Sequence, residues 1–171
     1  MIDIFRQTPN KIQPKEAEGT SWCGPAVVTM VLKSSGEQVD QQQLAQEMGT
    51  NQEEGTSVEN LRKAFWIRGY STVERAYSNW EELLQLRNHT QFPILVEWMD
   101  SRDYSTLGIE TPNRDPDSHY SLVVGMDDTH ILLADPSIGK DYLMERNEWM
   151  RSWKDRTDDV WDYAWFMLVG K

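Results

Sequence analysis

Along the first ninety positions apolar residues recur at three- and four-residue spacing, whereas after Pro93 they run together or alternate. The first pattern marks helices with one buried face and the second marks strands. Ala26, Val27, Met30 and Val31 repeat at helical spacing, with Pro25 in the first turn, where its missing N–H costs nothing, and Gly36 beyond the end. This predicts a helix over 23–34. Asp40 ahead of Leu44, Ala45 and Met48, with Gly49 after them, reads as a cap, a short helix and a stop. Thr56 and Glu59 are spaced as a capping box for a third helix, with Val58, Leu61, Phe65 and Trp66 on its buried side; Asn79 and Glu82 repeat the spacing ahead of Leu83, Leu84 and Leu86.

The second half predicts strands over 94–99, 119–126, 130–134 and 163–169, with 127–129 as a hairpin connection between two of them. Residues 145–153, carrying Trp149, Met150 and Trp153, read as one more helix laid near the sheet, followed by a polar loop over 154–162. Helices first and an antiparallel sheet second make the expected class α+β, with N-terminal helices packed on a C-terminal sheet. Residues 1–22 read as an extended arm, and 100–118 as an aperiodic polar stretch of the kind that forms binding loops.

Composition narrows the function. A chain of 171 residues fits one domain, spanning 1–171, large enough to bury a core without staples. A formal net charge of −11 repels phosphate backbones and anionic headgroups, which argues against nucleic acid as a partner and favours encounter with basic peptides. With one cysteine there is no intramolecular disulfide, a condition suited to a reducing compartment. The first residues lack the apolar core of a signal peptide and no run approaches the roughly 18 apolar residues of a membrane span, so the expected location is the cytoplasm. No Gly-rich phosphate loop occurs, and His89 and His130 share no metal-ligand spacing with Cys23, so neither cofactor nor metal is expected; Asp127 and Asp128 read as a turn.

The lone cysteine carries the chemistry. Cys23 stands at the start of the first predicted helix, and a helix N-terminus favours thiolate over thiol. His119 opens a predicted strand and Asp135 closes the next one, so a sulfur, an imidazole and a carboxylate follow in the order of a thiol-nucleophile triad. A cysteine taken at random is more often a small buried hydrophobe. Here the Cys-Gly-Pro-Ala context at a helix start, with His119 and Asp135 downstream, favours a nucleophile. Gly24 leaves room for substrate beside the sulfur, the Cys23 amide points toward a developing oxyanion, and the Trp22 indole is placed to floor a cleft.

Three blocks, Trp22-Cys23-Gly24-Pro25-Ala26, His119-Tyr120-Ser121-Leu122-Val123-Val124-Gly125-Met126 and Leu133-Ala134-Asp135-Pro136-Ser137, together resemble the papain-like cysteine peptidases of the bacteriocin-processing, double-glycine-leader type, stand-alone relatives included. The resemblance implies a papain-like fold and hydrolysis of a peptide or protein substrate through an acyl-thioenzyme. It implies Cys23 as nucleophile, His119 as general base and acid, and Asp135 as the orienting carboxylate. One position departs: the family usually has a glutamine six residues before the cysteine as oxyanion donor, and this chain has Ala17. Loss of such a donor costs about 10²–10³ in rate, so Gln13 is the leading substitute candidate, ahead of Thr20 and Ser21. The departure leaves two alternatives beside hydrolysis: a peptide-binding domain that does not cut, and an acyltransferase on the same fold.

Overall fold

The structure is a computed structural model that describes residues 12–19, 21–103, 117–154 and 164–171. The order of elements is α1 (Cys23–Ser34), α2 (Gln41–Glu47), α3 (Val58–Trp66), β1 (Ser71–Arg75), α4 (Trp80–His89), β2 (Ile94–Asp100), β3 (Asp117–Met126), β4 (His130–Asp135), β5 (Lys140–Glu145), α5 (Arg146–Lys154) and β6 (Phe166–Gly170). All six strands form one antiparallel sheet in the order β1-β6-β2-β3-β4-β5. The expected α+β class holds, and α1 occupies its predicted bounds.

Helix α1 is buried from Gly24 through Leu32 and packs against α2, α3 and β3. Its one polar residue in that span, Thr29, is satisfied within the helix: Oγ1 donates to the Pro25 carbonyl at 2.8 Å. Leu95, Tyr120, Leu122 and Val124 meet α1 in one apolar cluster; Ile94, Val96, Trp98, Val123 and Ile131 join Trp149 and Trp153 of α5 in a second. Two cores on either side of a sheet follow from the period of two along β2 and β3, which sends successive side chains to opposite faces.

Several expectations need correction. The cap of α3 is Ser57, whose hydroxyl accepts from the Asn60 N–H at 3.2 Å; Thr56 is buried and shares a 2.6 Å hydrogen bond with Thr50. Trp66 is exposed, its indole N–H donating to Thr72 Oγ1 at 2.9 Å. Strand β3 begins at Asp117, two residues before His119, and the last strand begins at Phe166. Strands β1 and β5 carried no clear signal. Both are sheet edges with one hydrogen-bonded neighbour, half-exposed and therefore polar, which blurs the alternation that marks inner strands. Within the stretches read as arm, polar stretch, second loop and final strand, residues 1–11, 20, 104–116 and 155–163 lie outside the described residues, Trp161 among them.

The caps at Asp40 and Asn79 stand as read, accepting from the N–H groups of Gln43 and Glu82. Asp127 is a turn residue whose Oδ1 accepts from the N–H groups of Thr129 and His130, each at 2.7 Å. Among the described residues no helix is long and apolar enough to cross a membrane.

Candidate active site

The chain approaches Cys23 through a strained turn. Ser21 takes φ 61°, a left-handed conformation uncommon for a non-glycine residue, and its hydroxyl is tied to the Gln52 carbonyl at 3.0 Å. Trp22 follows as N-cap of α1 but makes no capping hydrogen bond with its side chain, so no cap competes for the first-turn amides. Cys23 is half-buried at the tip of this helix.

Helix α1 can sit this close to its surroundings because residue 24 has no side chain. A Cβ there would lie 2.7 Å from both Cβ and Oγ1 of Thr56, which is itself buried and hydrogen-bonded to Thr50. Gly24→Ala is therefore expected to cost about 1–3 kcal/mol through overpacking and to displace the adjoining sulfur. Urea unfolding reads the first effect and the rate of Cys23 alkylation the second.

His119 is 3% exposed and Asp135 is fully buried. Strand register brings the ring opposite Trp98, whose indole meets it edge-on with centroids 5.4 Å apart and donates its N–H to Ser121 Oγ at 3.1 Å. His119 Nε2 lies 2.8 Å from Asp135 Oδ1, with Ser137 Oγ at 3.3 Å. The same carboxylate oxygen accepts from the Ser137 N–H at 2.8 Å. The Cys23 thiol lies near enough to this imidazole to act on its charge. With Nε2 given to Asp135, Nδ1 is the nitrogen left for the sulfur.

Burial works against the imidazolium, yet the charge and hydrogen bond of Asp135, with those of Cys23, outweigh it and raise the His119 pKa to about 10. Burial likewise opposes ionisation of Asp135; the facing His119 and Arg102 prevail and hold its pKa down at about 2. At neutral pH a carboxylate therefore faces an imidazolium, with the Cys23 side chain close to the same ring.

The remaining sequence candidates fall as follows. Trp22 stands beside the sulfur, half-buried, its indole filling the space where a Cβ on Gly19 would lie. Ala17 is pinned beside the carboxylate segment, its N–H donating to the Pro136 carbonyl at 2.9 Å. In the same contact the left-handed Gly139 passes close to Glu16, where a Cβ would come within 3.0 Å of that side chain. Gln13 lies exposed on the arm, next to the buried Ile12. His89 and His130 are at the end of α4 and the start of β4, and among the described residues no group of three or more His, Cys, Asp or Glu is arranged to hold a metal.

Sequence reasoning missed three residues. Gln41, 2% exposed, clamps the arm: its Oε1 accepts from the Glu18 N–H at 2.8 Å and its Nε2 donates to the Glu16 carbonyl at 3.2 Å. Trp98 reads from the sequence only as part of a strand. Arg102 sits in the aperiodic stretch, yet its guanidinium forms ion pairs with both Asp135 and Asp100 at 2.5 Å. None has a signal in spacing, because each matters only through distant partners.

A model of the Peptidase_C39 like family matches residues 2–160 of this sequence. The chain belongs to the Peptidase_C39 like family. An uncharacterized protein of Methanothermobacter marburgensis is 32% identical over 141 residues, 82% of each chain. The fold of this Peptidase_C39-like chain is also that of the peptidase domain of Streptococcus ComA, a bi-functional ABC transporter involved in a quorum sensing pathway. The two share 20% identity, with a TM-score of 0.67 over 93% of this chain and 98% of that one. A double glycine motif protease from an AMS/PCAT transporter, solved in complex with the leader peptide, matches with a TM-score of 0.67 at 18% identity, over 95% and 94%.

Proposed function

We propose that this chain is a cysteine peptidase that hydrolyses a peptide or related amide bond through an acyl-thioenzyme, as a single domain over residues 1–171. The observation that carries the reading is the buried imidazole of His119, hydrogen-bonded to Asp135 and close enough to Cys23 for the thiol to act on its charge. The family and the fold of the leader-peptide protease support a peptide substrate.

In this reaction the Cys23 sulfur attacks the scissile carbonyl carbon and a C–S bond forms. The oxyanion accepts from the Cys23 N–H at the tip of α1, with the Gln13 amide as the side-chain donor from the arm. His119 gives its proton to the departing amine as the C–N bond breaks. Water then attacks the thioester, giving a proton to the now neutral imidazole, and the acid leaves with Cys23 restored. Asp135 orients the ring and balances its charge without taking the proton. A nucleophilic thiol has to stay reduced, which suits the cytoplasm.

The test uses the protein's one cysteine. Peptides ending a leader in Gly-Gly are incubated with the protein and followed by mass spectrometry, before and after one equivalent of iodoacetamide. Cleavage that stops on alkylation is the expected result, as is slower alkylation in His119→Ala. Cleavage that survives full alkylation would overturn the proposal, as would the combination of no cleavage with alkylation indifferent to His119. Peptide bound but uncut points to a binding domain, and amine conjugates of the acyl group to a transferase.

A further inference from the structure

We infer that Arg102 is a positioning residue of this site, fixing the orientation of Asp135 and setting how strongly that carboxylate holds the proton of His119. The inference rests on the peptidase reading for its catalytic meaning. Its geometry stands separately.

Asp135 is buried with each oxygen assigned. Oδ1 meets His119 and the Ser137 N–H, and Oδ2 lies 2.5 Å from a terminal nitrogen of Arg102. This last contact is an ion pair held by charge and proximity rather than an aligned hydrogen bond. The rest of the guanidinium is locked to β2: Nε donates to Asp100 Oδ1 at 2.7 Å and the other terminal nitrogen to Asp100 Oδ2 at 2.5 Å. The Arg102 backbone N–H also donates to Asp100 Oδ1, at 3.1 Å.

Two aromatic rings hold the plane, Trp98 at 4.9 Å and Tyr142 at 4.5 Å from the central carbon, and the side chain is 6% exposed. A planar fork joining two carboxylates between two rings is a task lysine cannot perform. Trp98 is also the ring that meets His119 edge-on, so Arg102 braces both neighbours of the imidazole.

The charged and titratable groups facing this cluster are Asp100 on β2, Cys23 on α1, His119 on β3, Asp135 on β4, the Tyr142 phenol on β5, and Glu148 and Arg151 of α5, which border the same cavity as Arg102. Within it Arg102 opposes the pull of Asp135 on the imidazolium. Taking the guanidinium away leaves His119 holding its proton more tightly, while Asp135 loses one of its two anchors. Removing the Asp100 charge has the opposite sign, because more of the Arg102 charge then falls on Asp135.

The experiment follows His119 by nitrogen NMR in histidine-labelled protein, assigned with His119→Ala, together with the pH profile of Cys23 alkylation by iodoacetamide. In Arg102→Gln the His119 titration and the alkaline inflection of alkylation are expected to move up by about one pH unit. Asp100→Asn is expected to move both down. For a peptide the wild type cleaves, kcat falls about tenfold in Arg102→Gln with KM little changed, and Arg102→Lys restores the pH position but not kcat. Lower thermal stability with unmoved titration in both Arg102→Gln and Asp100→Asn would overturn the inference and leave a purely structural ion pair. Asp100→Asn keeps the test decisive if Arg102→Gln does not fold. A wild type whose alkylation ignores His119 defeats the peptidase reading instead, whatever Arg102 does to the titration.

Discussion

Asp135→Ala is expected to lower kcat/KM on a cleaved peptide by on the order of 10⁴, the loss seen when a buried triad carboxylate is removed, and to destabilise the fold by about 3–5 kcal/mol. The second effect arises because two buried groups share this carboxylate: without it His119 loses the charge that sustains its imidazolium, and Arg102 keeps Asp100 but loses an ion-pair partner. His119 and Arg102 both face Asp135, and neither is more than 6% exposed. Urea unfolding and steady-state kinetics measure the two losses.

Asp135→Asn separates charge from orientation. An amide oxygen still accepts from Nε2 and keeps the ring in place, but it no longer sustains the imidazolium. The pH dependence of stability carries the same distinction. His119, raised from 6.5 to about 10, contributes stability that is complete below 6.5 and disappears as pH rises through the folded value. Asp135, lowered from 3.8 to about 2, contributes stability that is complete above 3.8 and disappears as pH falls through about 2. The wild type is therefore expected to be most stable between these windows, from 3.8 to 6.5, and to weaken toward alkaline pH. In Asp135→Asn the alkaline slope flattens, and urea midpoints across pH 5 to 10 are the measurement. An unchanged slope would mean that the carboxylate charge does not hold the His119 proton.

Trp149→Ala is expected to cost about 3–5 kcal/mol, a large share of the roughly 5–15 kcal/mol of a whole domain. Trp149 is fully buried, stacked on Trp153 with centroids 5.4 Å apart and tilted against Trp98 at 6.0 Å. Because Trp98 in turn meets His119, the cavity left by alanine also loosens the wall behind the imidazole. A smaller loss is expected for Trp149→Phe, which keeps an aromatic ring and removes an indole N–H that has no acceptor among the described residues. Chemical denaturation ranks the variants, and the His119 titration shows whether the wall has moved.

The helical half was largely legible because its instructions are local. Pro25 with the apolar repeat of 26–32, and Asp40 and Asn79 as caps, act within a turn or two of chain, and the structure follows them. Thr56 misled because it and Ser57 both suit a cap; the choice went to Ser57 once Thr56 was drawn under Gly24 beside Thr50. The edge strands β1 and β5 were hidden because a strand with one neighbour needs no apolar alternation, only a partner to pair with.

The same division runs through the candidate site. Residue type and order alone determined which sulfur, imidazole and carboxylate to consider, and a helix start and a strand end determined where the sulfur and the carboxylate would stand. Only tertiary structure decided their surroundings. The pairing of β2 with β3 set Trp98 against His119, and the turn after β4 met the arm at Ala17. The closure of β2, β4 and β5 around one guanidinium turned Arg102 from a residue in a featureless polar stretch into the partner of a buried carboxylate. Backbone preferences act between neighbours in sequence, whereas a buried charge is decided by whatever distant groups the fold brings within a few ångströms of it.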